Sequence, residues 1–359
     1  MAQMMDYSIL KNFHGKKVFI TGHTGFKGSW LTNILLRLGA NVAGYSNKEN
    51  KNNKLFLDLN IQNKIEHISG DIRDIDHLKR SIMKYKPEFI FHLAAQSLVK
   101  RSYLNPTETY TTNIIGTANI LEIVRLSQSI RSTVIVTSDK CYRNNEWLWG
   151  YRENDELGGS DPYSASKAAA ELIFDSYKSA FFKGNELQGL ASVRAGNVIG
   201  GGDWSPDRII PDCIRGILND QIIKIRSPKA TRPWQHVLEP LSGYLLLSQH
   251  LYNNPKRFGG SWNFGPDTSN VMNVSEVADK IIEIMGRGTH IFDSQIHNHE
   301  ATLLQLNCDK AKQELNWMPK WNSISTIDRT ARWYKKYSEG HNAEKITKED
   351  VDLYFNNFN

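Results

Sequence analysis

The sequence predicts an α/β fold: a doubly wound parallel sheet with a smaller α/β substrate-binding lobe. Two observations carry this reading. Short β-branched and aromatic runs recur through the first half of the chain, with helical stretches between them. The first run, 16–21, passes through a glycine-rich turn straight into a helical pattern.

Composition sets the outer limits. At 359 residues the chain is long enough for one large or two medium domains. Its 40 % apolar and 23 % charged residues are those of a soluble globular protein. The net charge of +6 comes without a lysine and arginine block or an aromatic-interleaved basic stretch, so no nucleic-acid partner is expected. That charge helps to attract an anionic small molecule. Cys141, Cys213 and Cys308 are far apart and odd in number. They show neither metal-ligand spacing nor a disulfide framework, so a reducing cytoplasm and no metal are expected. No apolar run is long enough to span a membrane, and residues 1–12 lack an apolar signal core; no membrane partner is expected.

The elements follow in order. Residues 16–21 read as a buried strand. Gly22-His23-Thr24-Gly25-Phe26-Lys27-Gly28 is the turn, and Trp30, Leu31, Ile34, Leu35 and Leu38 are the apolar positions of the helix, which Gly39 ends. Gly22 allows a tight turn, Gly25 lets a pyrophosphate approach backbone N–H groups, and Gly28 lets helix pack on strand. The spacing is G-x-x-G-x-x-G, a weak signal alone and a stronger one between strand and helix. The second strand, 41–46, ends at Tyr45 and Ser46, where a dinucleotide fold often has an acid for the ribose 2′-OH. Residues 47–63 are expected to be a mobile loop with one short helix. The third strand, 65–70, leads to Asp71 and Ile72. Asp71 suits an adenine amino group or a helix cap, and Asp74 competes for the cap. The fourth strand, 88–93, ends in Ala94-Ala95-Gln96, small enough for a cofactor to lie across it. One long helix is expected over 105–128, capped by Asn105, with Asn113 bonding a strand or facing water.

The fifth strand, 133–137, ends in Ser138-Asp139-Lys140. Strand carboxyl ends gather catalytic groups in such sheets, although a polar turn explains these residues equally well. A helix is expected from Asp161, which suits an N-cap, and Pro162, which suits the first turn. It sets Tyr163 and Lys167 one turn apart on one face. A lysine cation beside a phenol favours the phenolate and moves its pKa from ~10 toward neutrality. The alternative is an ordinary exposed pair.

Together these pieces resemble the extended short-chain dehydrogenase/reductases. The match is near those acting as CDP-glucose 4,6-dehydratases, and it runs over nearly the whole chain. Its most specific stretches are 22–31, 137–142, 150–153, 158–163, 194–204 and 232–240. Ser46 in place of an acid fits that subgroup. The resemblance implies a Rossmann-type NAD domain over 1–199 and a mainly substrate-binding lobe over 200–359, with about 238–265 returning to the main sheet. It implies NAD contacts from Gly22, Thr24, Gly25, Phe26, Lys27, Gly28, Ser46, Asp71, Ile72, Leu93, Ala94, Ala95, Gln96, Thr137, Tyr163 and Lys167.

The implied reaction closes on itself. Hydride leaves C4 of the glucose ring for bound NAD while Tyr163 takes the hydroxyl proton. Lys167 lowers the Tyr163 pKa and holds the nicotinamide ribose. Ser138 bonds the C4 oxygen, and Asp139 protonates the departing C6 hydroxyl. Hydride then returns to C6 and C5 is reprotonated, giving a 4-keto-6-deoxy sugar nucleotide for deoxysugar and lipopolysaccharide synthesis. Lys140 stands where the dTDP-glucose dehydratases have a glutamate base for the C5 proton. It serves either as a neutral amine, its pKa brought well below ~10.4, or as a cation stabilising the enolate. A homodimer through the helices near 105–128 and 162–182 is also implied.

In the second half the expected elements are a sixth strand at 188–194, a short strand at 222–226, and an apolar helix at 238–251. A strand at 261–264, a capped helix at 273–285 and closing helices at 308–317, 323–337 and 348–355 complete it. Gln96, Asn197, Arg208 and Arg232 are candidates for CDP-glucose; arginine's planar fork suits a diphosphate, and a surface role is the alternative. Trp234 and His236 flank the pyrimidine or fill the core. Glu300 is a further nucleotide candidate. Two other functions stay open: a dehydratase or epimerase on another nucleotide sugar, and a non-catalytic NAD(P)-binding regulator. The regulator ranks low because Asp139, Tyr163 and Lys167 are all present.

Overall fold

The computed structural model describes residues 6–47, 53–267, 271–293 and 303–356. A parallel sheet forms its centre, from β1 (Lys17–Thr21), β2 (Asn41–Ser46), β3 (Glu66–Ser69), β4 (Phe89–His92), β5 (Ser132–Val136), β6 (Gly189–Arg194) and β7 (Gly260–Asn263). Their spatial order is β7-β6-β5-β4-β1-β2-β3. The chain enters at β1, winds outward through β2 and β3, and crosses back to β4 on the other side of β1. Connections leave β1 and β4 in opposite directions, so a crevice opens at their carboxyl ends.

The predicted alternation is what makes the layers. Val18 and Ile20 of β1 face one core with Trp30 and Leu31 of helix α1 (Phe26–Arg37). Phe19 faces the other core, with Ile120 and Phe174. A strand between two cores is apolar on both faces, which is why residues 18–20 form a continuous apolar run. The expected strands agree with these bounds to within a residue or two.

The helices depart more. The single helix expected at 105–128 is instead an α-turn (Pro106–Tyr110), a π-helical segment (Thr111–Ile115) and an α-helix (Gly116–Leu126). Asn105 supplies no side-chain cap, since a helix at Val99–Leu104 runs into it from the other side. Asp161 does cap helix α2 (Pro162–Phe181), its Oδ1 accepting from the Ser164 N–H at 3.0 Å. Asp74 caps the helix Ile75–Tyr85, which leaves Asp71 for another task. The apolar stretch after 238 forms α3 (Leu238–Asn253), almost wholly buried against the main sheet. The last helix begins earlier than expected, at Ala343, capped by Asn342. The helix foreseen between 47 and 63 is Lys54–Asp58, followed by a 3₁₀ turn at Ile61–Asn63; the intervening 48–52 lie outside the described residues.

Candidate active site

One cleft of about 2590 Å³ runs along the carboxyl ends of the sheet. That is well above the roughly 300–1,000 Å³ of an ordinary small-molecule site and leaves room for a cofactor and a substrate side by side. Its floor at one end is the glycine turn. Gly22 has φ +75°, and a Cβ there would come within 2.7 Å of the Ala94 nitrogen. A Cβ on Gly28 would come within 2.2 Å of the Gly22 carbonyl oxygen. Both glycines are therefore required by backbone packing. Gly25 differs: a Cβ there would meet only the Gly22 oxygen, at 3.4 Å. Its bareness opens the start of α1 to the cleft, where free N–H groups suit a phosphate. The cradle fits the pyrophosphate of a dinucleotide.

The rest of that cradle is drawn from strand ends. Phe26, Lys27, Ser46, Asp71, Ile72, Leu93, Ala94, Ala95, Gln96 and Thr137 line the same cleft. Thr24 does not; its hydroxyl shares a 2.7 Å hydrogen bond with Ser46 at the tip of β2. It orients the serine from behind. Asp71 accepts from Arg73 Nε at 3.0 Å, and this ion pair holds its carboxyl below the usual range.

The reactive side chains converge further along. Ser138 Oγ donates to Asp139 Oδ1 at 2.9 Å and accepts from the Lys140 N–H at 3.3 Å. Tyr163 and Lys167 line the cleft on one face of α2. Lys167 Nζ donates to the Val136 carbonyl at 3.3 Å, next to Thr137. Burial pushes the Tyr163 phenol up to about 12, with the Ser138 hydroxyl pulling against it. Burial also pulls Lys167 down to about 8, opposed by Glu171. The sequence alone suggested a phenol near neutrality. The structure corrects this: burial outweighs the Ser138 hydrogen bond and the Arg208 charge, which pull the other way. Lys27, on the glycine turn, is also pulled down to about 8, by burial and then by the Arg208 charge.

Of the substrate-side candidates, Gln96, Asn197, Arg208, Arg232 and Trp234 line the cleft. Asn197 follows β6 with φ 51°, a left-handed conformation that asparagine tolerates. Arg208 pairs with the buried Asp203 at 2.8 Å. The Trp234 ring nitrogen donates to the Met272 carbonyl at 3.1 Å. His236 is a correction. It is wholly buried, edge-on to Trp30 and Trp321, and burial pushes its imidazole down to about 3. It fills the core, the second of the two options the sequence left for it. Glu300 lies outside the described residues.

Of two features behind the cleft, one was half seen, since Asn113 was read as bonding a strand or facing water, and the other was missed. Asn113, in the π segment, accepts from the Gln96 N–H at 2.8 Å and donates to the Gln96 carbonyl at 3.0 Å. It also donates to Ser166 on α2 at 2.9 Å, so it ties the end of β4 to the helix of Tyr163. Asparagine is a poor helix former, and that was the available signal. The second is the buried pair Glu171–Arg194 at 2.7 Å. Its signal was an arginine closing a buried strand of small and apolar residues.

A family model described as GDP-mannose 4,6 dehydratase matches residues 19–330. The chain belongs to that family, and the resemblance to extended short-chain dehydrogenase/reductases is borne out. It is 46% identical over 350 residues to a CDP-glucose 4,6-dehydratase of Salmonella typhimurium, covering 96% of this chain and 98% of that one. It is 25% identical to the dTDP-glucose 4,6-dehydratase of Shigella flexneri, covering 89% of this chain and 92% of that one. Among solved structures, the dTDP-glucose 4,6-dehydratase of Bacillus anthracis in complex with NAD aligns with TM-score 0.75 and 23% identity. That alignment covers 90% of this chain and 98% of the other, and bears on the fold.

Proposed function

We propose that the protein is an NAD-dependent CDP-glucose 4,6-dehydratase, a hydro-lyase converting CDP-D-glucose to CDP-4-dehydro-6-deoxy-D-glucose and water. The observation that carries this reading is the convergence of Ser138, Asp139, Lys140, Tyr163 and Lys167 in one cleft with the glycine cradle. The near-full-length 46% identity to a CDP-glucose enzyme supports the choice of base.

NAD, when bound, would supply the hydride acceptor for C4 and the hydride donor for C6. The chain's own groups do the proton work. Tyr163 removes the C4 hydroxyl proton, with Ser138 donating to the C4 oxygen. Oxidation at C4 acidifies the C5 proton. Lys140 acts there, as base or as the cation facing the enolate. Asp139 protonates the C6 oxygen as water leaves, and Ser138 holds its carboxyl in place. The ammonium of Lys167 favours the Tyr163 phenolate once the cleft is filled. Arg208 and Arg232 suit the substrate diphosphate. The binding roles given to the glycine turn and the strand ends belong to the same reading, with 1–199 as the NAD domain and 200–359 mainly the substrate lobe. The product suits deoxysugar synthesis for lipopolysaccharide in the cytoplasm.

Turnover of a panel of CDP-, dTDP-, GDP- and UDP-glucose, read as 4-keto product, tests the assignment. CDP-glucose is expected to be preferred by ten-fold or more, since a site built to hydrogen-bond one base leaves its polar groups unpaired with another. Equal turnover of dTDP-glucose would overturn the choice of base. A homodimer also belongs to this reading: Tyr110 and Ile115 of the first helical stretch, and Leu172 and Phe181 of α2, expose apolar side chains. Sedimentation at micromolar concentration is expected to give twice the chain mass; a lone monomer would exclude it.

A further inference from the structure

We propose that Glu171, held by Arg194, is a positioning residue that fixes the charge and place of the Lys167 ammonium. The inference rests on the dehydratase reading for its purpose, and on side-chain geometry for its substance. Tyr163, Lys167 and Glu171 follow one another at intervals of one turn along α2, so they share a face. Glu171 is wholly buried. Its Oε2 accepts from Arg194 at 2.7 Å and from Ser192 at 2.7 Å, and the Thr137 hydroxyl donates to its other oxygen. Thr137 immediately follows Val136, whose carbonyl receives Lys167. The end of β5 therefore grips both members of the helix face at once.

Arg194 is itself fixed. It donates to the Tyr142 hydroxyl at 2.7 Å and to the Glu153 carbonyl at 2.9 Å. Arg194, Ser192, Thr137 and, at 3.3 Å, Ser261 donate to this carboxylate, which stays ionised where burial alone would neutralise it, and the Arg194 charge keeps its pKa below the ordinary value. Both oxygens of the carboxylate are hydrogen-bonded, although Arg194 Nε has no partner among the described residues, and buried bonds of this kind make the site stiff. A structural task alone needs no charge here, because a buried ion pair is a poor source of stability. What the charge supplies is an anion one turn from Lys167.

Other titratable groups also face Lys167. Cys141 lies on the turn after β5, His92 on β4, Lys27 on the glycine turn, and Tyr163 on its own helix. Burial keeps His92 and Cys141 neutral, and Lys27 opposes a second cation. Glu171 is the largest attraction Lys167 has. An anion favours the charged amine, so its loss must lower the Lys167 pKa.

The test needs no turnover. Competitive acetylation of the cofactor-free protein across pH, read by mass spectrometry at Lys167, gives the titration of that amine. In the wild type the midpoint is expected at about 8. In Glu171→Gln it should fall by about one pH unit, while Glu171→Asp should restore most of the difference. Should Glu171→Gln fail to fold, the double variant Glu171→Gln/Arg194→Met removes both charges of the pair. It should still lower the midpoint, because Glu171 is the leading attraction on Lys167 and the Arg194 charge is not among those that move it. A parallel readout is the basic limb of kcat/KM for CDP-glucose, expected to move to lower pH by the same amount. An unmoved Lys167 midpoint in a folded variant overturns the inference. Absence of wild-type turnover with a normal Lys167 shift would instead count against the dehydratase reading alone.

Discussion

Tyr163→Phe should abolish the reduced-cofactor absorbance in a single turnover with CDP-glucose. Loss of a general base typically costs about 10²–10⁴-fold. The phenol lines the cleft, and its hydrogen bond with the Ser138 hydroxyl sets it beside the group expected to hold the C4 oxygen. Lys140→Met should behave differently. Lys140 lies one residue beyond Asp139 and lines the cleft from the strand end. Oxidation at C4 should proceed, while deuterium uptake at C5 from heavy water slows along with dehydration. Rapid mixing separates the two steps. Should Lys140→Met lose the absorbance as completely as Tyr163→Phe, Lys140 belongs to positioning and another group removes the C5 proton.

Gly196→Ala should stop dehydration while sparing oxidation. A Cβ at this glycine would lie 1.7 Å from Asp139 Oδ2 and 2.2 Å from its Cγ. The backbone cannot easily yield, because the Gly196 carbonyl accepts from Gln235 Nε2, which also donates to the Phe264 carbonyl. The carboxyl must therefore swing away from Ser138. A displacement near 1 Å at a reacting group can cost about 10²-fold. The 4-keto glucose nucleotide that has not lost water should then accumulate, as followed by mass spectrometry. Unchanged dehydration in a folded Gly196→Ala would remove Asp139 from the role of acid.

The parts read most directly from the sequence were those set by local chemistry. Residues 16–28 read as strand, glycine turn and helix because Gly22 and Gly28 answer backbone constraints and Gly25 keeps the helix start open. Asp161 and Asn273 read as caps because a side-chain oxygen three residues before an N–H has few other uses, and both bond as caps do. The fold class followed from the alternation of such units. What escaped was set by burial and by contacts distant in sequence. His236 has the residue type of a ligand, and only the packing of Trp30 and Trp321 around it shows a core role. The π segment around Asn113 depends on Gln96 and Ser166, from two other elements. Tyr163 and Lys167 were found by spacing, but the direction of the phenol's pKa was misjudged: proximity was visible in the sequence and desolvation was not. Asp71 and Asp74 were left as rivals for one cap, and the structure gives it to Asp74.

In the proposed reaction one cofactor serves both ends within a single closed turnover. CDP-glucose deuterated at C4 tests it most directly, with the product examined by NMR after turnover without added oxidant or reductant. The deuterium is expected at the C6 methyl group of the 4-keto product, with no build-up of reduced cofactor. Deuterium lost to solvent, or retained on reduced cofactor accumulating in proportion to product, would contradict the internal return and make the protein a simple dehydrogenase.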